Sequence, residues 1–451
     1  KSLISEYRYT EYTYDQRGRL TAFAEISQNA QPTADDIKVD QIQYTYNEDG
    51  NLSKLSYPTT KDGLQSLSYI YDENGWLQEI KGELYSKNQT TEKVLRSYTY
   101  DTFGRLVKTV TTDYKKNDQT KTITYTYDNV GNRLKEDNGT TTTSYTYNGL
   151  DQLKTSTKEK GTAVEEVRQY DYDANGNQTD VKNTKTGENQ TYVYDAENRL
   201  SQVSVTKDGK TAVIQQNIYN GEGQRIQKID GDETINYYYQ DGVVAYTTDT
   251  DGNQNSQNLI GTEGNVLATE RFKGDDTQYY LYNKDIQGST SSLVKEDGSA
   301  DATYQYTDFG ETTIQGDDQA KNEVSYTGGI YDQSTGLYYL NARYYNPEDG
   351  RFLTEDTYRG ENNQPNTQHL YVYCANNPVN YVDPSGHGPV GIVIGGLIGY
   401  GAGKLILPKI ANRLHLKGKK KVVYKIRYRC NNSVRRNGRK LFWRSYSIYL
   451  C

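Results

Sequence analysis

The chain has 451 residues, more than a single core usually fills, so length alone allows roughly two to four domains unless the architecture repeats. Only 33% of the residues are hydrophobic and mean hydropathy is −0.95, values that would fit disorder if 46 tyrosines did not supply ring surface for burial. The net charge of −7 joins two unlike parts: residues 384–451 hold 15 Lys and Arg with no acid, leaving residues 1–383 at 37 minus 59, or −22, a balance that discourages nucleic-acid contact by the body.

The sequence begins at Lys1 and contains no Met, as expected of a chain that has lost an upstream part. The lack of an apolar leader in its first residues then carries no information on export. From Tyr12 a phrase recurs: "YTYDQRGRL", then "YTYNEDGNL" from Tyr44, "YIYDENGWL" from Tyr69, "YTYDTFGRL" from Tyr98 and "YTYDNVGNRL" from Tyr125. It returns as "YTYNGLDQL" from Tyr145, "YDYDANGNQ" from Tyr170 and "YVYDAENRL" from Tyr192, with starts 20 to 32 residues apart. Such a period marks a repeat protein. Two tyrosines at i and i+2 share one face of a strand, Asp or Asn opens a turn, Gly supplies a positive φ, and Leu restarts a second strand, so each phrase predicts a hairpin. The Thr-, Ser-, Lys- and Gln-rich stretches between phrases alternate as strands do.

An even spacing of aromatic phrases favours architecture over a single site, with stacking on sugars as the functional rival. Catalysis by Asp15, Asp128 or Asp195 is not expected, because a carboxylate beside a turn caps backbone N–H groups and no second ionisable partner recurs beside it.

Towards the end the phrases change. "QYYLYNKDIQGSTSSLVKEDGSADATYQYTDFGE" runs from Gln278, and "GLYYLNARYYNPEDGRFL" is followed by "YVYCANNPVNYVDPSG", which ends at Gly386. These passages resemble the Rhs or YD-repeat proteins, and the second is similar to the Rhs-associated core of bacterial polymorphic toxins, insecticidal toxin-complex components and Gram-positive wall-associated proteins. The likeness spans residues 1–386. It implies an all-β fold in which hairpins spiral into a hollow shell closed by the core as a plug, with a small variable tail, α+β or partly disordered, after the Asp-Pro-x-Gly. The expected division is 1–277 for the shell, 278–386 for the core and plug, 387–416 for a glycine-rich apolar segment and helix, and 417–451 for a basic candidate toxin.

Some members of that family cut themselves after the terminal motif, using an aspartyl-protease-like pair assisted by an Arg. By motif position the pair is Asp356 and Asp383, with Arg343 beside them and the cut at Gly386 or His387. Two close carboxylates cannot both ionise cheaply, so one stays an acid while the other activates water and the guanidinium steadies charge. The sequence departs from the family twice: no Pro follows Asp356, and His387 stands where cleaving relatives have Leu. The structural alternative has both carboxylates capping turns and Arg343 forming a buried pair that holds the plug. His387 reads either as an acid or base near neutral pH or as part of an exposed loop.

Beyond the junction, Gly391, Gly395, Gly399 and Gly403 recur every four residues and would form a smooth ridge on a helix. The uncharged run of residues 390–403 is short of the roughly 20 residues that span a membrane. Transmembrane, membrane-associated and shell-packed readings all stay open. Tyr424, Ile426, Tyr428 and Cys430 alternate with Lys425, Arg427 and Arg429 as a strand with one basic face, and Asn437–Gly438 signals a turn. Lys421, Tyr424, Arg427, Arg429, Arg436, Arg439 and Trp443 would suit RNA, with charges on phosphates and rings on bases, or else store the tail against an acidic shell. His415 is the one weak catalytic candidate there. Cys374, Cys430 and Cys451 match no metal-ligand spacing, and a Cys430–Cys451 bond or free thiols are both open.

The expectation is therefore a secreted or cell-wall-associated shell that encloses and delivers a C-terminal toxin in bacterial competition, the tail acting as an RNase. No cofactor is expected. The implied partners are the chain's own cargo, an immunity protein, and target RNA or a target-cell membrane. An extracellular adhesin that binds cell-wall glycans and a membrane-disrupting tail are the alternatives.

Overall fold

The computed structural model describes residues 7–17, 19–28, 42–57, 63–261, 264–274, 276–295, 299–360, 368–388, 390–391 and 421–426. Among them there is no α-helix, and all but a few strands belong to one antiparallel sheet of 27 strands. Each hairpin pairs with the next, and the sheet runs on without a change of pattern through Asp276–Lys284 to Thr312–Gly316.

The phrase builds its hairpin by local hydrogen bonds. At Asp101, Oδ1 accepts the amides of Phe103 and Arg105, and Gly104 takes φ +81°, which closes a turn that few L side chains could make. The same carboxylate or amide cap recurs at Asp72, Asp173, Asp195 and Asn220. A register shift falls just before the second tyrosine in most phrases, a bulge that twists the strand into the turn.

The two tyrosines of a phrase do different work. The first is buried on the concave face, as at Tyr98, Tyr125 and Tyr192. The second reaches sideways: Tyr71 donates to the Leu52 carbonyl (2.8 Å), Tyr100 to Leu77 (2.6 Å), Tyr127 to Leu106 (2.8 Å) and Tyr219 to Leu200 (2.6 Å). Each phenol therefore staples its hairpin to the one before while its ring stays partly buried.

Curling of the sheet is visible in its core. Leu20, Leu52, Tyr69, Leu77 and Tyr125 pack in one cluster with Leu267, Phe309 and Val379, residues far away in sequence. A second cluster joins Tyr192, Leu200 and Val203 to Leu337, Tyr339, Tyr344 and Leu353. The four-stranded sheet of Ile330–Asp332, Leu337–Leu340, Arg343–Asn346 and Arg351–Phe352 thus sits against the inner face of the wall. This is the spiralling all-β shell with an inner core.

Candidate functional site

The core docks on the wall through polar contacts aimed at successive turns. Asn380 Oδ1 accepts the Leu77 amide (2.8 Å), Asn377 donates to the Gly104 carbonyl (2.7 Å), Asn376 to Gly131 (2.7 Å) and the Tyr371 hydroxyl to Gly176 (2.8 Å). Cys374, Ala375 and Asn376 all have positive φ, near +50 to +59°, and this run of left-handed backbone swings the asparagines outward. Deeper in, Arg225 and Asp332 form a fully buried ion pair, joined by Lys228, Glu323, Gln215 and the Tyr237 hydroxyl. Burial alone would raise the Asp332 carboxyl, but Arg225 and Lys228 hold it below its ordinary value.

At the end of the core the structure brings Arg343, Asp356, Asp383, Gly386 and His387 together. Arg343 comes from the strand Arg343–Asn346, Asp356 from the segment after Arg351–Phe352, and Asp383 from the turn after Tyr381–Val382. The guanidinium lies over the Phe352 ring at 3.6 Å. Its Nη2 donates to Asp356 Oδ2 at 2.6 Å and stands 3.6 Å from Asp383 Oδ2, Nη1 donates to the Leu370 carbonyl at 2.9 Å, and Nε donates to the Gly386 carbonyl. All three charged side chains are buried. Burial pulls Arg343 down to about 10, against the opposite pull of the two carboxylates, so it is still a cation at neutral pH. Burial also raises the Asp383 carboxyl, with Asp356 adding to the rise and Arg343 and the amides of Gly388 and His387 opposing it.

The carboxylates also cap turns. Asp356 Oδ1 accepts the Tyr358 amide (2.9 Å), and Asp383 accepts the amides of His387 and Gly388 (both 3.1 Å). Gly386 has φ +72°, and a Cβ there would lie 2.4 Å from the Leu340 carbonyl oxygen and 3.0 Å from the Arg343 amide, so only glycine fits. The His387 side chain is half exposed, with Nδ1 3.3 Å from Asp356 Oδ1 and 3.5 Å from the Thr357 hydroxyl. The catalytic and capping readings of these residues thus share one geometry.

The glycine-rich segment departs from the helical expectation at its start. Val390–Gly391 form a short strand on Tyr381–Val382, because a β-branched residue and a glycine make a weak helix start beside an unpaired edge. The rest of that segment, with Gly395, Gly399, Gly403 and His415, lies outside the described residues. So do Arg427, Arg429, Arg436, Arg439, Trp443, Cys430 and Cys451, whereas Cys374 is a free, buried thiol. Lys421–Ile426 is a strand paired with Tyr7–Tyr14, with Lys421 opposite Thr13 and Tyr424 opposite Thr10.

The sequence pattern of the Teneurin YD-shell family matches residues 2–379. The chain belongs to that family. Among curated relatives, this YD-shell chain is 32% identical over 274 residues to "tRNA3(Ser)-specific nuclease WapA" of Bacillus spizizenii, a match that covers 59% of the chain and 11% of that protein. It is 32% identical over 200 residues to "Toxin subunit YenC2" of Yersinia entomophaga, over 38% of the chain and 19% of the relative. The chain therefore spans only a small part of the relatives it matches. A solved TcdB2-TccC3-Cdc42 structure aligns over 83% of the chain and 23% of its own at 18% identity and a TM-score of 0.36, an agreement too loose to rest a reading on.

Sequence reasoning missed the docking set. "YCANNPVN" was legible as part of a family motif, but nothing local told that Asn376, Asn377 and Asn380 address turns more than 240 residues upstream. Phe352 beneath Arg343 and the Arg225–Asp332 pair left no local signal either.

Proposed function

We propose that this YD-shell chain is a secreted or wall-associated delivery body for a C-terminal cargo, and that Asp356, Asp383 and Arg343 hydrolyse the junction that joins the two. The wall takes in the one continuous sheet as far as Thr312–Gly316 rather than ending at residue 277, the stretch from there to residue 386 serves as core and plug, and residues from 387 serve as cargo. The observation that carries this reading is the convergence of two buried carboxylates on one guanidinium, which itself holds the Gly386 carbonyl where the chain leaves the core. In such a centre Arg343 stabilises the oxyanion, one carboxylate takes a proton from water and the other, its carboxyl raised by burial, gives one to the departing nitrogen.

Intact-mass measurement of the purified chain tests it. Two products meeting at the junction are expected, and Asp383→Asn should leave the chain whole; an unbroken wild-type chain at every pH would count against the hydrolytic centre. The basic tail and the relatives' names support RNA as the cargo's target. Production of residues 387–451 in a cytosol should then deplete RNA while the membrane stays intact, whereas leakage with RNA preserved would turn the reading to membrane attack.

A further inference from the structure

We propose that His369 is an acid-sensitive latch between core and wall, closed only while its ring is neutral. On the wall, the Asn132 amide has a fixed orientation: Nδ2 donates to Asp128 Oδ2 at 3.0 Å and to Asp151 Oδ1 at 2.8 Å, so Oδ1 is turned towards the core. There it meets two core groups, accepting Arg351 Nη1 at 3.1 Å and lying 2.8 Å from His369 Nε2. With an oxygen opposite it, Nε2 carries the proton. The other ring nitrogen, Nδ1, accepts the Tyr371 amide at 3.3 Å and must therefore be bare. One tautomer of the neutral ring satisfies both contacts, and the imidazolium satisfies only one.

The charged and titratable groups around this contact come from both sides. The core supplies Arg351 from the strand Arg351–Phe352, the Tyr371 phenol and, beyond it, Glu355; the wall supplies Asp128, Asp151, the Tyr147 phenol and Arg105, which donates to the Asp128 carbonyl. Both aspartates are spent on the Asn132 amide, and Arg351 shares the ring's own acceptor. A proton on Nδ1 would point at the Tyr371 amide and set a second cation beside Arg351. Burial, with Arg351 adding to it, accordingly holds the ring well below the usual histidine range. The same wall turn receives Asn376 at the Gly131 carbonyl, so a latch opened at Asn132 loosens the next contact along.

A histidine whose pKa is depressed by docking contributes its full stability above the free value of about 6.5 and loses it as pH falls below that, because the undocked ring takes the proton first. The opening constant of this contact should grow by up to about tenfold for each pH unit below 6.5, until the docked ring itself titrates. The core would then stay clamped to the turn of residues 128–132 near neutral pH and come away from it in acid. The buried Asp349 carboxyl, raised by burial, acts in the opposite sense, so the two are separated by changing His369 alone.

The test is hydrogen exchange on the full 451-residue chain at pH 5 and pH 7, corrected for intrinsic exchange rates, in wild type and in His369→Gln, whose amide can donate to Asn132 but cannot charge. Carbon-labelled histidine, of which the chain has three, follows the ring itself by NMR, with the His369 signal assigned by its loss in the variant. In wild type, opening at residues 128–132 and 369–377 should be at least about tenfold greater at pH 5 than at pH 7, the variant should change by less than about twofold, and the His369 ring should titrate well below an ordinary histidine. Equal acid dependence in the two chains, or a His369 ring that titrates as an ordinary histidine does, would overturn the inference. Should the variant fail to fold by circular dichroism at pH 7, the wild-type ring titration decides alone.

Discussion

The wall and the core of this molecule are held by opposite strategies. In the wall, hairpins are closed by their own Asp or Asn and stapled to the one before by a phenol, with partners 14 to 26 residues apart, as from Tyr147 to Arg133 and Tyr46 to Leu20. In the core, the contacts are unique and join residues 100 or more apart, such as Asn380 to Leu77 (303) and Arg225 to Asp332 (107). A repeated local contact shares its load with neighbours, whereas a unique distant one has no substitute. Damage to the wall should be graded and local, and damage to the core–wall contacts should release the whole core.

The comparison breaks most openly at the buried ion pair. Arg225→Met leaves the buried Asp332 carboxylate with Lys228 and Gln215 but without its main partner and should destabilise the chain by about 3–5 kcal/mol in chemical denaturation, while Arg225→Met with Asp332→Leu should recover most of that loss. Asn377→Ala strands the Gly104 carbonyl and should cost about 1–3 kcal/mol. Loss of protection in hydrogen exchange should then reach residues 371–388 rather than stop at the turn.

Asp349 gives a smaller effect with a definite sign. It is buried, accepts the Tyr170 hydroxyl at 2.9 Å, and is raised to about 6 by burial and by Glu348. A carboxyl raised on folding contributes stability that is complete below its unfolded pKa of about 3.9 and is lost as pH rises through the folded value. Stability should thus fall by about 1 kcal/mol from pH 5 to 7 through this group, and Asp349→Asn should flatten that slope. The smallest change belongs to the wall: Tyr100→Phe removes one staple and should cost about 0.5–1 kcal/mol, with faster exchange confined to Leu77–Ser86 and Gln89–Tyr100.

The same contrast explains what could be read in advance. The hairpin was legible because its causes lie within nine residues: paired tyrosines, a capping Asp, a left-handed Gly and a returning Leu. Even there the destination of the second hydroxyl was hidden, since the Leu carbonyl it meets belongs to the previous phrase. Arg343, Asp356 and Asp383 were found through a family motif, yet their approach is made by three strand ends and could not be seen from spacing. Asn376, Asn377 and Asn380 look like turn residues in sequence, and part of their function is indeed a turn; their distant partners are a property of the folded chain alone.

That asparagine series has a consequence for how the protein can change. Because Asn380, Asn377, Asn376, Arg351 and Tyr371 meet the chain at Leu77, Gly104, Gly131, Asp151 and Gly176 in turn, the core acts as a gauge that measures off consecutive hairpins. Adding a hairpin between Leu77 and Gly176 would leave every local rule satisfied and put the gauge out of step. A hairpin added before Leu77 would leave these contacts in step.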